Sequence, residues 1–176
     1  MSGARLLVIA AAILFVVGCA GYRLAGRGGE SSFIPDGVRV IGVPQFDNRT
    51  DQPQLDLRIS EALINEFVRR GRYQARPDAR GADVVLEGAI ESYRTEPVTF
   101  SAGGVYERVE VTVTARIRLV QSAPEKVLWA QNHYIFRQQY ELPKTPVSQF
   151  DREIIAIDEI ARDFALSVVT TILEGM

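Results

Sequence analysis

Few side chains in this sequence are of the kinds that make or break bonds. It holds one cysteine, Cys19, and one histidine, His133, which rules out an intramolecular disulfide and any metal site built from several thiolates or imidazoles. Glu87 and Glu91 could form a carboxylate pair, but four residues along one strand face separate them by about 13 Å, too far for paired acid–base work at one bond. His133 has no Ser, Cys or Asp motif beside it. The glycines of the segment Gly26 to Glu30 neither follow a strand nor open a helix, so they form no phosphate-cradling loop. No nucleophile elbow is present. Catalytic and metal-binding residues are therefore none, no dissociable cofactor is expected, and a hydrolase built on Glu87 or His133 is the weakest reading.

Cys19 is the residue whose surroundings prescribe chemistry. Leu6 to Val17 is an unbroken run of twelve apolar residues preceded by Arg5. A bilayer-spanning helix needs about 20, so the run is too short to cross. A positive start, a short apolar core and a small residue at its end describe a secretory signal peptide over residues 1–18. Val16-Val17-Gly18-Cys19 resembles a bacterial lipobox, in which the cysteine is acylated and becomes the first residue. Each buried methylene adds about 0.8 kcal/mol of membrane affinity, and several acyl chains make anchoring effectively permanent. Ala20 follows, where an inner-membrane retention signal would place Asp. The expected location is the outer membrane, on its periplasmic side. Residues 19–34, with Gly21, Gly26, Gly28 and Gly29 among scattered charges, read as the lipidated cysteine and a tether.

Arginine is the other suggestive residue type. Arg69, Arg70, Arg72, Arg76 and Arg80 crowd the end of the first helix and the loop after it. They complement a helix dipole and aid solubility, or they meet an anionic partner, since guanidinium groups grip phosphate and carboxylate in pairs of hydrogen bonds. Arg116 and Arg118 pose the same choice between neighbouring glutamates and an outside partner. With 20 basic against 22 acidic residues the net charge is −2, which excludes a nucleic-acid partner held by a strongly basic face.

The elements that position these residues are written in periodicity. Val38 to Phe46 is β-branched and bounded by turns, a strand whose Pro44 belongs at an edge or an end. Leu55 to Arg70 places Leu55, Ile59, Ala62, Leu63 and Phe67 on one helical face, with Leu57, Ile64 and Val68 as a second stripe. Val84 to Glu91 alternates. From Val109 to Leu119 the alternation is unbroken, apolar Val109, Val111, Val113, Ala115, Ile117 and Leu119 against Glu110, Thr112, Thr114, Arg116 and Arg118. That period demands one buried and one wet face. The span from Tyr106 to Val120 approaches about 45 Å, so this strand bends, bulges or projects. Val127 to Tyr140 returns as a fourth strand with Leu128, Ala130, Tyr134 and Phe136 on one face. A helix from about Ser148 to Leu173 carries a stripe through Phe150, Ile154, Ile157, Ala161, Phe164 and Val168. The predicted domain, residues 35–176, is an α/β (α+β) two-layer sandwich: a four-stranded, mostly antiparallel sheet with two helices on one face, in the order βαβββα.

Four stretches together resemble the LptE family of lipopolysaccharide-assembly lipoproteins. They are Cys19-Ala20-Gly21-Tyr22-Arg23-Leu24, Val43-Pro44-Gln45-Phe46-Asp47-Asn48-Arg49-Thr50, Ala82-Asp83-Val84-Val85-Leu86-Glu87-Gly88 and Val127-Leu128-Trp129-Ala130. The likeness follows the element order over essentially the whole mature chain. It implies a non-enzymatic protein, lipid-anchored in the outer membrane, that plugs the barrel protein LptD, helps it assemble and assists lipopolysaccharide to the outer leaflet. Some relatives carry a basic residue for lipopolysaccharide in the turn before the third strand. Here Thr99 to Gly104 is uncharged, which shifts the expected contacts with lipopolysaccharide or the barrel to Arg94 and Arg108 beside that turn, Arg116 and Arg118 on the wet face, and Lys144 before the last helix. The segment Phe46 to Thr50 leading into a helix also resembles lipoproteins that activate peptidoglycan synthases, and the amino-terminal domain of TolB. Against these stands the long alternating hairpin from Glu87 to Tyr140.

Overall fold

The computed structural model describes residues 32–100, 106–141 and 149–175. The apolar leader, Cys19, the tether up to residue 31, the turn at 101–105 and Lys144 lie outside them.

The elements run β1 (Val40–Gly42), β2 (Asp47–Asn48), α1 (Leu55–Arg69), β3 (Gln74–Arg76), β4 (Val84–Phe100), β5 (Tyr106–Ser122), β6 (Glu125–Glu141) and α2 (Gln149–Glu174). They form one six-stranded sheet in the order β3-β1-β4-β5-β6, with β2 also beside β4. The expected four strands are thus six, and the chain order is ββαββββα. Two changes account for it. The first predicted strand is broken after Gly42, because Pro44 has no N–H for a ladder, and resumes as β2 once the chain regains β4 at Ala89 and Ile90. β3, three residues long, escapes a period-two search altogether. The sheet is antiparallel through β4, β5 and β6. Its other side is parallel, since β1 lies parallel to both β3 and β4.

The helices and the inward sheet residues share one core. Leu55, Ile59, Leu63 and Phe67 of α1, and Ile157, Ile160, Phe164, Val168 and Ile172 of α2, pack with Leu86 and Ile90 of β4 and with Val111, Val113, Ala115, Ile117 and Leu119 of β5. Every second residue of β5 is buried over that stretch and those between are not. One side chain of that size moved out of water is worth about 1.5–3 kcal/mol, so the spacing of apolar residues fixes which sheet face the helices cover. Gly71, with φ of 70°, ends the turn after α1, a conformation that costs glycine nothing. Of the second stripe on α1, Ile64 packs partly against the core while Leu57 and Val68 remain exposed.

Each strand of the β4–β5–β6 meander has 17 residues and extends about 55 Å, longer than the helices can cover. Arg94 to Thr99 are exposed without alternation. The meander ends in an arm beyond the core.

β6 is an edge strand, and its inward set differs from the expected one. Trp129, Phe136 and Tyr140 are buried, Tyr134 and Leu128 partly so, and Ala130 is exposed. The register shifts between Leu119 and Val120, leaving Leu128 as an extra residue, and again between Ala115 and Ile117, leaving Asn132 and His133. These bulges change which side chains point inward, so one face cannot be followed along β6 in steps of two. Two phenols tie β6 to α2. The Tyr134 hydroxyl lies 2.7 Å from Ser167 Oγ, and the Tyr140 hydroxyl donates to Asp163 Oδ2 at 3.4 Å. Burial, with Asp163 beside it, holds the Tyr140 phenol well above its ordinary pKa.

Asp83 closes the opposite end of the sheet. Its carboxylate accepts the N–H groups of Arg39 and Val40 at 2.8 and 2.9 Å, and these bonds hold its pKa below the ordinary 3.8. A depressed carboxylate stabilises the fold above its unfolded value, and that contribution is lost as pH falls through the folded one. Asp83→Asn should therefore be less stable than the parent at neutral pH, with the gap closing below the ordinary carboxylate range. Denaturant titrations between neutrality and pH 3 measure it, and a gap that stayed constant would refute the assignment.

Candidate interaction surface

The sheet face opposite the helices is built from β4, β5 and β6 side chains that point to water, and its charges fall into rows fixed by register. Glu87 stands opposite Arg118, and the Arg118 guanidinium donates to it at 2.6 Å. Further along, Glu91 Oε1 accepts from Arg116 at 2.8 Å and from Arg49 at 3.2 Å, so two guanidinium groups share one carboxylate oxygen. Towards the arm, Arg137 meets Glu110 at 3.3 Å and Arg108 meets Glu141 at 3.0 Å. Such exposed pairs are each worth at most about 1 kcal/mol, so they leave the fold's stability to the core and set the character of the surface. That surface is mixed in charge, with most of its arginines closed on glutamates and Ile135 exposed among them.

A depression of about 530 Å³ opens on this face, lined by Pro44, Asp47, Arg49, Glu87, Arg116 and Arg118 among others. The Phe46 to Thr50 segment makes one wall. Within it Asn48 Oδ1 accepts from the Thr50 amide at 3.0 Å and hydroxyl at 2.7 Å, while Asn48 Nδ2 donates to the Gln52 carbonyl at 2.8 Å. Asn48 and Thr50 thus shape the turn into α1 and leave Arg49 to face outward. Buried Ser60 fixes the same segment from α1, accepting the Phe46 N–H at 3.0 Å and donating to Asp56 O at 2.7 Å. Gly88 lets this wall approach the sheet. A β-carbon there would lie 2.6 Å from the Phe46 ring and 2.6 Å from the Arg116 carbonyl oxygen.

Of the residues expected to touch lipopolysaccharide or a barrel, the structure brings four onto this face. Arg116 and Arg118 border the depression. Arg94, opposite Thr112, and Arg108, opposite Thr99 and Glu141, share the same face out on the arm. Arg94 is exposed and meets no acid among the described residues. Cys19 and Lys144 fall outside the described residues. Reading residue types along the chain misses Arg49, although it sits in the Phe46 to Thr50 motif. Glu87 and Glu91 each hold arginine, and His133 is exposed in a bulge.

The arginines at and after the end of α1 form a second charged region. Glu66, almost completely buried, is clamped by Arg69 and by Arg70 Nε, the latter at 3.0 Å. Arg70 Nη2 also donates to Thr170 of α2 at 2.7 Å. Arg72, Arg76 and Arg80 stay exposed.

Among the described residues no helix is long and apolar enough to cross a membrane, and no group of three potential ligands could hold a metal ion. No curated protein matches the chain by sequence. Solved structures resemble it in fold. A protein of Xanthomonas campestris is 11% identical with a TM-score of 0.52, the alignment covering 83% of this chain and 89% of that one. A hypothetical protein of Chlamydia trachomatis is 11% identical with a TM-score of 0.50, covering 77% and 98%. Rare lipoprotein B of Shewanella oneidensis is 13% identical with a TM-score of 0.41, covering 74% and 92%. The family model for LptE, lipopolysaccharide-assembly, matches residues 38–172, from just before β1 to the last turn of α2. A match spanning every element of the described sandwich leaves one conclusion: the chain belongs to the LptE family of lipopolysaccharide-assembly proteins.

Proposed function

We propose that this chain is a non-enzymatic outer-membrane lipoprotein, acylated on Cys19, that occupies the lumen of an LptD-like β-barrel and assists lipopolysaccharide to the outer leaflet. The observation that carries the reading is the uncovered sheet face. It runs the length of three 17-residue strands, is mixed in charge, and closes most of its arginines on glutamates. The inner wall of such a barrel is polar, so a protein seated in it needs a wet surface that is not strongly charged. Arg94, Arg108, Arg116, Arg118 and Lys144 are the proposed contacts with lipopolysaccharide or the barrel.

Affinity purification of the lipidated protein from native membranes tests this. Co-purification of a large, heat-modifiable barrel supports the plug, whereas capture of a penicillin-binding protein in its place would favour a peptidoglycan-synthase regulator. Arg116→Asp with Arg118→Asp should reduce barrel or lipopolysaccharide recovery at least about ten-fold, because like charges then oppose each other on the docking face. The fold should persist by circular dichroism, since both side chains are roughly half exposed. Exchanging the Glu87–Arg118 pair, with Glu87→Arg and Arg118→Glu, keeps the internal bridge. If that exchange fully restored recovery, Arg118 would act only by pairing with Glu87.

A further inference from the structure

We propose that the arginine segment from Arg69 to Arg80 is a docking surface for anionic phospholipid headgroups, at the membrane to which the chain is tethered. The segment carries five arginines and one acid, Asp78. Its local acids are already engaged. Glu66 is held by Arg69 and Arg70, Glu174 approaches Arg70 at 3.9 Å, and Asp78 accepts the Arg80 backbone N–H at 2.8 Å. Asp83, the next acid along the chain, is bonded to the amides of Arg39 and Val40. Arg72, Arg76 and Arg80 are exposed and form no ion pair with an acid among the described residues. Three guanidinium groups in that state present forks that match phosphate oxygens.

Position selects the phospholipid surface over other polyanions. Thr170, in the last turns of α2, holds Arg70, and two residues on, the Ile172 carbonyl accepts the Phe33 N–H at 2.9 Å. The arginine segment therefore lies at the end of the domain where the chain enters from its amino terminus. Phe33 stands fourteen residues after Cys19. At no more than about 50 Å of chain from Cys19, this is the end at which the tether joins the domain. The hairpin arm points the other way, since β4 starts beside Ile41 and runs out to Phe100. An acyl anchor joined to a basic patch is a two-signal membrane attachment.

This inference takes the membrane's identity from the Cys19 reading, so its test uses protein without an acyl chain. The chain from residue 19 with Cys19→Ser is sedimented with vesicles of phosphatidylethanolamine and phosphatidylglycerol at about three to one, and with pure phosphatidylcholine vesicles. The expected result is binding to the anionic vesicles alone, weakened by about 0.5 M salt. Arg72→Gln, Arg76→Gln and Arg80→Gln together should weaken it about 100-fold, at roughly five-fold for each arginine near the surface. Arg58→Gln with Arg137→Gln, two arginines outside the segment that pair with Asp158 and Glu110, should leave it unchanged. Parent-like binding by the triple variant, or equal binding to phosphatidylcholine, would overturn the proposal. None of these outcomes bears on whether Cys19 is acylated.

Discussion

In a cell producing the Cys19→Ala variant, the protein is expected to leave the outer-membrane fraction. The membrane-bound share should fall at least about 100-fold, because no acyl chain forms and the methylenes it would bury are each worth about 0.8 kcal/mol. In cells depleted of the barrel partner, what remains bound should wash off in salt, since only exposed charge is then left to hold the domain. Fractionation with and without a salt wash measures both. Retention of the Cys19→Ala protein in the outer membrane of those depleted cells through the wash would refute acylation as the anchor. The folded domain should be unaffected, because Cys19 lies outside the region from residue 38 to residue 172 that the family model spans.

The second large effect is on stability. Phe164 is fully buried on α2, with ring centroids 5.7 Å from Tyr134 and 5.8 Å from Phe136, both edge-on. Phe164→Ala removes those contacts and leaves a cavity, at about 3–5 kcal/mol. For a domain of this size the unfolding midpoint should drop by about 10 °C. Phe164→Leu keeps most of the volume and should lose less than half as much. Thermal unfolding followed by circular dichroism reads both. A shift under about 3 °C for the alanine variant would mean that β6 is held to α2 chiefly through Tyr134, Tyr140 and their hydroxyl partners.

How much of this was legible in the sequence depends on the range over which each feature is determined. The unbroken alternation from Val109 to Leu119 announced β5 and its two faces, because burial there is one-sided over a long stretch. The stripes of α1 and α2 were equally plain. β2 and β3 were not, because strands of two and three residues exist only where β4 and β1 offer partners. The bulges in β6 have no signature in residue type, so Trp129 took the core position assigned to Ala130. The candidate surface was half visible. Alternation put Arg116 and Arg118 on the wet face, but their glutamate partners emerge only from the β4–β5 register. Arg49 was hidden more deeply, since Glu91 lies 42 residues away and meets it only through the parallel pairing of β2 with β4.

The same bulges bear on how this chain survives before it finds a partner. An outermost strand of 17 residues offers free amides and carbonyls along its length, a template on which a second polypeptide could polymerise. Leu128 and the Asn132–His133 pair throw that row out of step at two points, so an incoming straight segment can match only a few consecutive rungs before its bonding groups fall out of phase. On the proposed function, a chain that must cross an aqueous compartment would carry, in those three residues, its own safeguard against fibre formation.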